Sequence, residues 1–240
     1  MLAAMSAELS PEQLVALNRL TVVARVLAGT AHDVNNALQI ISGSAEMLAG
    51  LGEVGSPARR AVDRIQAQAT RAAAAVGDVM QFARDRGGAT GRVSLRDVVS
   101  KALGMRAFSI RRAGLVLDFD AATAPAAIVT GSGVRLQQAV LNLIINAEHA
   151  SQGTAGGSIS LDLTETRDRA VLRIIDQGRG LDPDVADRAF EPFISSGSVP
   201  DASGLGLTAA RIIARDHSGD ITFETRPKGS CVVLQLPLSR

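Results

Sequence analysis

The chain has 240 residues, 46% of them hydrophobic, and a net charge of +1, so it can bury one large or two small cores and is too apolar for a disordered segment. Its 25 basic residues comprise 23 Arg and only two Lys, Lys101 and Lys228, neither preceded by Gly, which excludes a Walker-A phosphate loop. Cys231 is the sole cysteine and the three histidines, at 32, 149 and 217, lie far apart, which excludes a disulfide framework, a multi-Cys zinc site and a local HExxH motif.

The first long pattern is Leu17, Leu20, Ala24, Leu27, Ala31, Val34, Leu38, Ile41, Ala45 and Leu48, an unbroken alternation of three- and four-residue steps that predicts a coiled-coil or bundle helix. The turn-rich stretch 50–57 ends it, with Ser56 placed as an N-cap and Pro57 at the first position of a second helix. That helix repeats the alternation at Ala58, Val62, Ile65, Ala69, Ala72, Val76, Val79 and Ala83. Together they predict an antiparallel hairpin. Its narrow, Ala-rich seam buries too little apolar area to stand alone, so a homodimer is expected in which two hairpins form a four-helix bundle.

Residues 84–91 are polar and glycine-rich and mark a boundary. Beyond it the pattern predicts a short strand near Val93, a helix over 96–112, strands over 115–119 and 127–129, and a helix over 133–150. Strands over 159–164 and 171–176 follow, then a loop-rich stretch, a helix over 205–216, and strands over 221–225 and 231–236. The expected fold is therefore a helical hairpin over 1–87 joined to an α/β sandwich over 92–240, with helices on one face of a mixed β-sheet. No apolar run reaches the roughly 18 residues of a membrane span, and residues 1–13 lack a secretory pattern, so a cytoplasmic chain without membrane contact is expected. Near-neutral charge and the absence of Trp and Tyr argue against a nucleic-acid partner.

If Ala31 and Val34 face the seam, His32, Asp33 and Asn36 share the outward face, with His32 and Asn36 one turn apart. On its own a solvated polar face is the ordinary reading of such residues. As chemistry, a neutral imidazole attacks phosphorus when one ring nitrogen is free and the other is held protonated by an acceptor. Asp33 stands where that acceptor is needed, and Asn36 can position a water for the reverse hydrolysis.

The helix over 133–150 carries Asn142 and Asn146 at i, i+4, and paired amides can offer oxygens to a hard cation such as Mg²⁺ and donors to phosphate. The strand over 171–176 ends in Asp176-Gln177-Gly178-Arg179-Gly180, where a carboxylate can accept from an exocyclic amine and two glycines let a planar ligand approach. Gly204-Leu205-Gly206-Leu207 opens the next helix, whose free N–H groups favour an anion. The small, polar stretch 195–203 before it looks like a lid. Asp-x-Gly turns, solvated asparagines and glycine-rich turns are each common alone.

Their order is not. His32-Asp33 on a hairpin, Asn-x-x-x-Asn on a helix, Asp-x-Gly-x-Gly after a strand, Phe190-Glu191-Pro192-Phe193, and Gly-Leu-Gly-Leu before a helix together resemble the sensor histidine kinases of two-component signalling, from about Leu14 to Pro237. The resemblance implies a dimerisation and phosphoacceptor domain over 1–87 and a Bergerat-type ATP-binding domain over 92–240. It implies ATP and Mg²⁺ as cofactors and a response regulator's receiver domain as partner. By the same resemblance His32 takes the γ-phosphoryl group with Asp33 as general base, and Asn36 serves phosphatase activity toward the regulator. Asn146 binds Mg²⁺ with Asn142 beside it, Asp176 recognises adenine next to Gly178 and Gly180, and Gly204, Leu205, Gly206 and Leu207 cradle the phosphates.

The chain departs from the family pattern in places. It has Asp33 where many relatives have Glu and Ala37 where many have Pro, which resembles the His-Asp-x-Asn-Asn subgroup. After Phe193 many relatives show Thr-Thr-Lys, whereas Ile194-Ser195-Ser196-Gly197 supplies no lysine, and Ala202-Ser203 lacks the Gly common before Gly204. Phosphate charge would then fall to amides, backbone N–H groups, Mg²⁺ and arginines such as Arg179. Residues 1–13 are too few for a sensor domain, so the expectation is a kinase core cut from a longer protein or one signalled by another chain. The competing expectations are a histidine phosphotransfer module with a degenerate ATP-binding domain and a structural coiled-coil dimer with an idle α/β domain.

Overall fold

The computed structural model describes residues 9–49, 60, 62, 64, 65, 68, 69, 89–154, 156–178, 180, 188–194, 204–224 and 226–239, with the side chains of His32 and Asp33 outside that set. Helix α1 runs over Pro11–Ala49. It starts where local chemistry demands. The Ser10 hydroxyl accepts from the Gln13 N–H at 3.2 Å and the Gln13 side chain accepts from the Ser10 N–H at 2.7 Å, a reciprocal cap, with Pro11 at the first helical position. Of the expected second helix, the described residues Arg60, Val62, Arg64, Ile65, Gln68 and Ala69 are all helical, and the expected turn over 50–57 lies outside the described residues.

Two compact units share α1: Met1–Val22 with Arg86–Arg240, and Val23–Asp85. Residues 11–22, which the heptads group with the hairpin, thus pack with the α/β unit. Their buried face is Leu14, Val15, Asn18 and Val22, while Leu17 and Leu20 are 40% and 68% exposed. The heptad stripe and the face turned to the α/β unit are two different sides of the same turns.

The α/β unit runs β1 (Gly91–Ser94), α2 (Leu95–Arg112), β2 (Val116–Asp118), β3 (Ile128–Gly131), α3 (Gly133–Ser151), β4 (Ser158–Glu165), β5 (Arg169–Asp176), a 3-10 turn (Arg188–Phe190), α4 (Gly206–Asp216), β6 (Asp220–Glu224) and β7 (Cys231–Pro237). Five strands form a mixed sheet in the order β2-β4-β5-β7-β6, with β2 parallel to β4 and the other pairs antiparallel. β1 and β3 stand apart as an antiparallel pair. The strand expected over 127–129 lies further along, because Ala127 has a left-handed φ of 47° and the pairing with β1 carries β3 on to Gly131.

Ser94 and Ser132 cap α2 and α3 by accepting from the N–H groups of Asp97 and Arg135. The core lies between these helices and the sheet: Leu95, Val99 and Ile110 on α2, Leu136, Val140 and Ile144 on α3, and Ile213 on α4 meet Ile159, Leu172, Ile174 and Leu234. Strand alternation puts Ala170, Leu172, Ile174 and Asp176 on one face of β5, so the carboxylate at the strand's end shares the face of the buried aliphatics. On the other face Val171, Cys231 and Val233 form a small cluster, and burial with the nearby Glu224 pushes the Cys231 thiol up to about 11.

Helix α3 is fixed to α2 by a buried ion pair. The Arg106 guanidinium donates to Glu148 Oε2 from Nε at 3.2 Å and from Nη2 at 2.7 Å. Removing one partner of such a pair costs about 3–5 kcal/mol, because the other charge is left buried and alone.

Candidate functional site

Two clusters form along α3. At its C-terminal end, Asp176 is 1% exposed and its carboxylate accepts three hydrogen bonds, two on Oδ1 and one on Oδ2. Oδ1 accepts from the N–H of Gly178 at 2.9 Å and of Ser230 at 3.3 Å, and Oδ2 accepts from the Ser230 hydroxyl. The Asp176 N–H donates in turn to the Ser230 carbonyl at 3.0 Å.

The glycines around this carboxylate are sterically required. A Cβ on Gly178 would lie 2.1 Å from the Ala150 carbonyl oxygen, and one on Gly229 would lie 1.8 Å from the Asp176 carbonyl oxygen. Gly180 is also close, its Cβ position 3.1 Å from the Gly229 oxygen. Asp176, Gly178 and Gly180 thus lie together. Gly229 and Ser230 complete the cluster and were not singled out by any motif. The signal for them was the Lys228-Gly229-Ser230 turn just before the last apolar strand.

The second cluster is at the middle of α3. Asn142 is 4% exposed and lies beside the start of α4, with its Oδ1 at 3.6 Å from where a Cβ on Gly206 would be. Its amide pairs with that of Asn18: Asn142 Nδ2 donates to Asn18 Oδ1 at 2.8 Å, and Asn18 Nδ2 donates to Asn142 Oδ1 at 3.2 Å. Asn146, one turn on, is half-buried. Asn142 and Ala150 are eight residues apart, so the two clusters are separated by about 12 Å of helix rise.

Helix α4 has no side-chain cap at its start, where Leu205 is buried and Gly206 is the first helical residue. Leu207 is half-buried in the same turn. The approach to α4 is pinned by a backbone bond from the Phe193 N–H to the Gly204 carbonyl at 3.0 Å. Both residues have positive φ, 63° and 65°, and a Cβ on Gly204 would lie 2.5 Å from the Phe193 carbonyl carbon.

Phe190 is clamped. Its ring stacks at 5.1 Å on Phe223 and lies 4.4 Å beneath the Arg211 guanidinium, which is bonded to Asp220 at 2.9 Å. Partial burial pushes the Asp220 carboxyl up, but hydrogen bonds from Arg211, the Ile221 N–H and Arg215, with the Arg211 charge, outweigh it and hold it at about 2.

Asn36 is half-buried in α1, and the backbone at His32 and Asp33 is helical. The expected lid at 195–203 and Arg179 lie outside the described residues. Among the described residues no cluster of His, Cys, Asp and Glu could hold a metal ion. Also among the described residues, no helix is long and apolar enough to cross a membrane.

Residues 23–88 match the His kinase A phospho-acceptor domain family, and residues 131–240 match the histidine kinase-, DNA gyrase B- and HSP90-like ATPase family. The chain belongs to the sensor histidine kinases. Among these kinases it is 29% identical to the C4-dicarboxylate transport sensor protein DctB of Rhizobium meliloti, over 94% of this chain and 36% of DctB. It is 29% identical to the sensory histidine kinase/phosphatase NtrB of Rhodobacter capsulatus, over 87% of this chain and 60% of NtrB. The chain thus spans less than two thirds of the length of these curated sensor kinases. In fold it is similar to the catalytic domain of the histidine kinase ThkA, with TM-score 0.57 and 21% identity over 64% of this chain and 100% of that one. ThkA solved in complex with the response regulator TrrA gives TM-score 0.54 and 20% identity over 92% of this chain and 63% of that one.

Proposed function

We propose that this chain is the phosphoryl-transfer core of a histidine kinase, with 1–87 as its dimerisation and phosphoacceptor domain and 92–240 as its ATP-binding domain. The reaction is autophosphorylation of His32 by ATP, followed by transfer to an aspartate of a response regulator. The observation that carries this reading is the Asp176 cluster. A carboxylate held by the Gly178 N–H and by Ser230, flanked by backbone with no room for side chains, is a rigid acceptor for the exocyclic amine of adenine. The start of α4 offers N–H groups to the phosphates about 12 Å along α3.

In the transfer, a ring nitrogen of His32 attacks the γ-phosphorus as the bond to the leaving ADP oxygen breaks, and the proton on the other ring nitrogen passes to Asp33. Gly204, Leu205, Gly206 and Leu207 present backbone to the phosphates and offset the charge that grows on the leaving group. Mg²⁺, when bound, neutralises phosphate charge. The half-buried amide of Asn146 is suited to hold it, with Asn142 beside it. The phosphoryl group then leaves His32 as its bond to the regulator's carboxylate forms. Asn36 positions a water for the phosphatase direction, an activity that the name of NtrB also carries. The exposed Leu17 and Leu20 on the heptad stripe suit pairing with a second copy.

Titration calorimetry of Mg²⁺–ATP into the chain and its Asp176→Asn variant tests the reading. An amide offers its NH₂ where a carboxylate accepts, so affinity should fall by about tenfold to a hundredfold. Equal affinity would contradict it.

A further inference from the structure

The first turns of α1 make a contact that the phosphoryl-transfer chemistry does not use. Asn18 is 2% exposed, and its Oδ1 accepts both from Asn142 and, at 2.9 Å, from Gln138 Nε2. Gln138 Nε2 also donates to the Val15 carbonyl at 3.0 Å. Leu14, Val15 and Val22 are buried around this network. Residues 11–22 are thus fastened to α3 at an amide that lies beside the start of α4.

The pairing is reciprocal: Asn142 gives one N–H and one oxygen lone pair to Asn18. A ligand that needs that N–H or that lone pair must displace Asn18 to reach it. Asn142 cannot at once face Asn18 in this geometry and face a metal-bound triphosphate. A helix meant only to stay packed would be fixed best by aliphatic side chains at this position. Paired amides regain water when they part, so this contact opens at lower cost than an apolar one of equal size. Asn18 also precedes His32 by fourteen residues on the same helix.

We infer that Asn18 is an autoinhibitory latch, which holds Asn142 away from nucleotide while residues 11–22 are docked and competes with Mg²⁺–ATP for that amide. The inference rests on the nucleotide reading of the α/β unit. A ligand that binds only the undocked state must shift the docking equilibrium, and loosening the latch must strengthen binding by the same coupling.

The test is the affinity for Mg²⁺–ATP of the unsubstituted chain, Asn18→Ala and Val15→Asp, with amide hydrogen exchange at residues 14–22. Val15→Asp undocks the segment by a different route, through a buried charge, and so guards against a local defect of the alanine variant. The latch predicts binding at least about fivefold tighter in the variants, and faster exchange at 14–22 when Mg²⁺–ATP is added to the unsubstituted chain. Equal or weaker binding in both variants, with or without a loss of thermal stability, overturns the latch and leaves the nucleotide reading standing. Exchange at 14–22 unchanged by bound nucleotide also overturns it. No binding in any of the three proteins overturns the nucleotide reading, and the latch with it.

Discussion

Asp176, at the end of β5, and Asn142, on α3, are both almost wholly buried polar side chains, yet they are satisfied in opposite ways. Asp176 takes its donors from Gly178, two residues on, and from Ser230, which follows the β6–β7 turn next to the rung where Ile175 pairs with Cys231. Asn142 takes its partner from Asn18, 124 residues away and outside the sheet. The first arrangement is part of the ladder and opens only when the unit unfolds. The second is a docked segment, and such contacts can exchange at a fraction of the global unfolding free energy. Along α3 there is thus one buried polar group tied into the sheet and another held by a docked segment, a division that would suit the proposed nucleotide site.

The largest effect that would break this contrast is expected at Gly229. Its φ of 72° and the 1.8 Å between its Cβ position and the Asp176 carbonyl oxygen leave no room for a methyl group. Gly229→Ala should cost about 3 kcal/mol or more in urea unfolding. A cost below about 1 kcal/mol would mean that the cluster is as yielding as the Asn142 contact.

Ser230→Ala should have a smaller effect. It removes the hydroxyl from Asp176 Oδ2 but keeps the backbone donors, so a loss of about 1–3 kcal/mol is expected, largely restored in Ser230→Thr. Thermal unfolding of the two variants measures the difference.

The smallest effect is expected at the Phe190 clamp. Asp220 has its carboxyl lowered from 3.8 to about 2. Its contribution is therefore complete above about pH 4 and lost as pH falls toward 2. Since the group is partly exposed, Asp220→Asn should lower stability by less than about 1 kcal/mol at neutral pH. The gap from the unsubstituted protein should close on acidification, as followed by melting temperature against pH. A gap that widened in acid would reverse the assignment.

Much of this contrast could be read from the residues, and the reasons for the rest are physical. Asp176 was legible because it ends an apolar strand just before two glycines, a local pattern. Ser230 was not, since its meaning depends on β7 pairing with β5 across 54 residues, and no local pattern encodes that register. Asn142 was legible through its i, i+4 repeat with Asn146. Asn18 was hidden because a heptad template marks the Leu17–Leu20–Ala24 stripe and treats the polar residue between them as solvated. The structure instead turns that residue to α3 and leaves Leu17 and Leu20 open. The shift of β3 to Ile128–Gly131 has the same origin, a pairing with β1 that the short apolar run did not announce.

The most direct measurement is incubation of the chain with γ-labelled ATP and Mg²⁺, followed by treatment of the protein with acid and with base. The account predicts label on the unsubstituted protein that is acid-labile and base-stable, as a phosphoramidate must be, and no label on His32→Ala. Label that persists in His32→Ala, or an unsubstituted protein that takes up none, would contradict it.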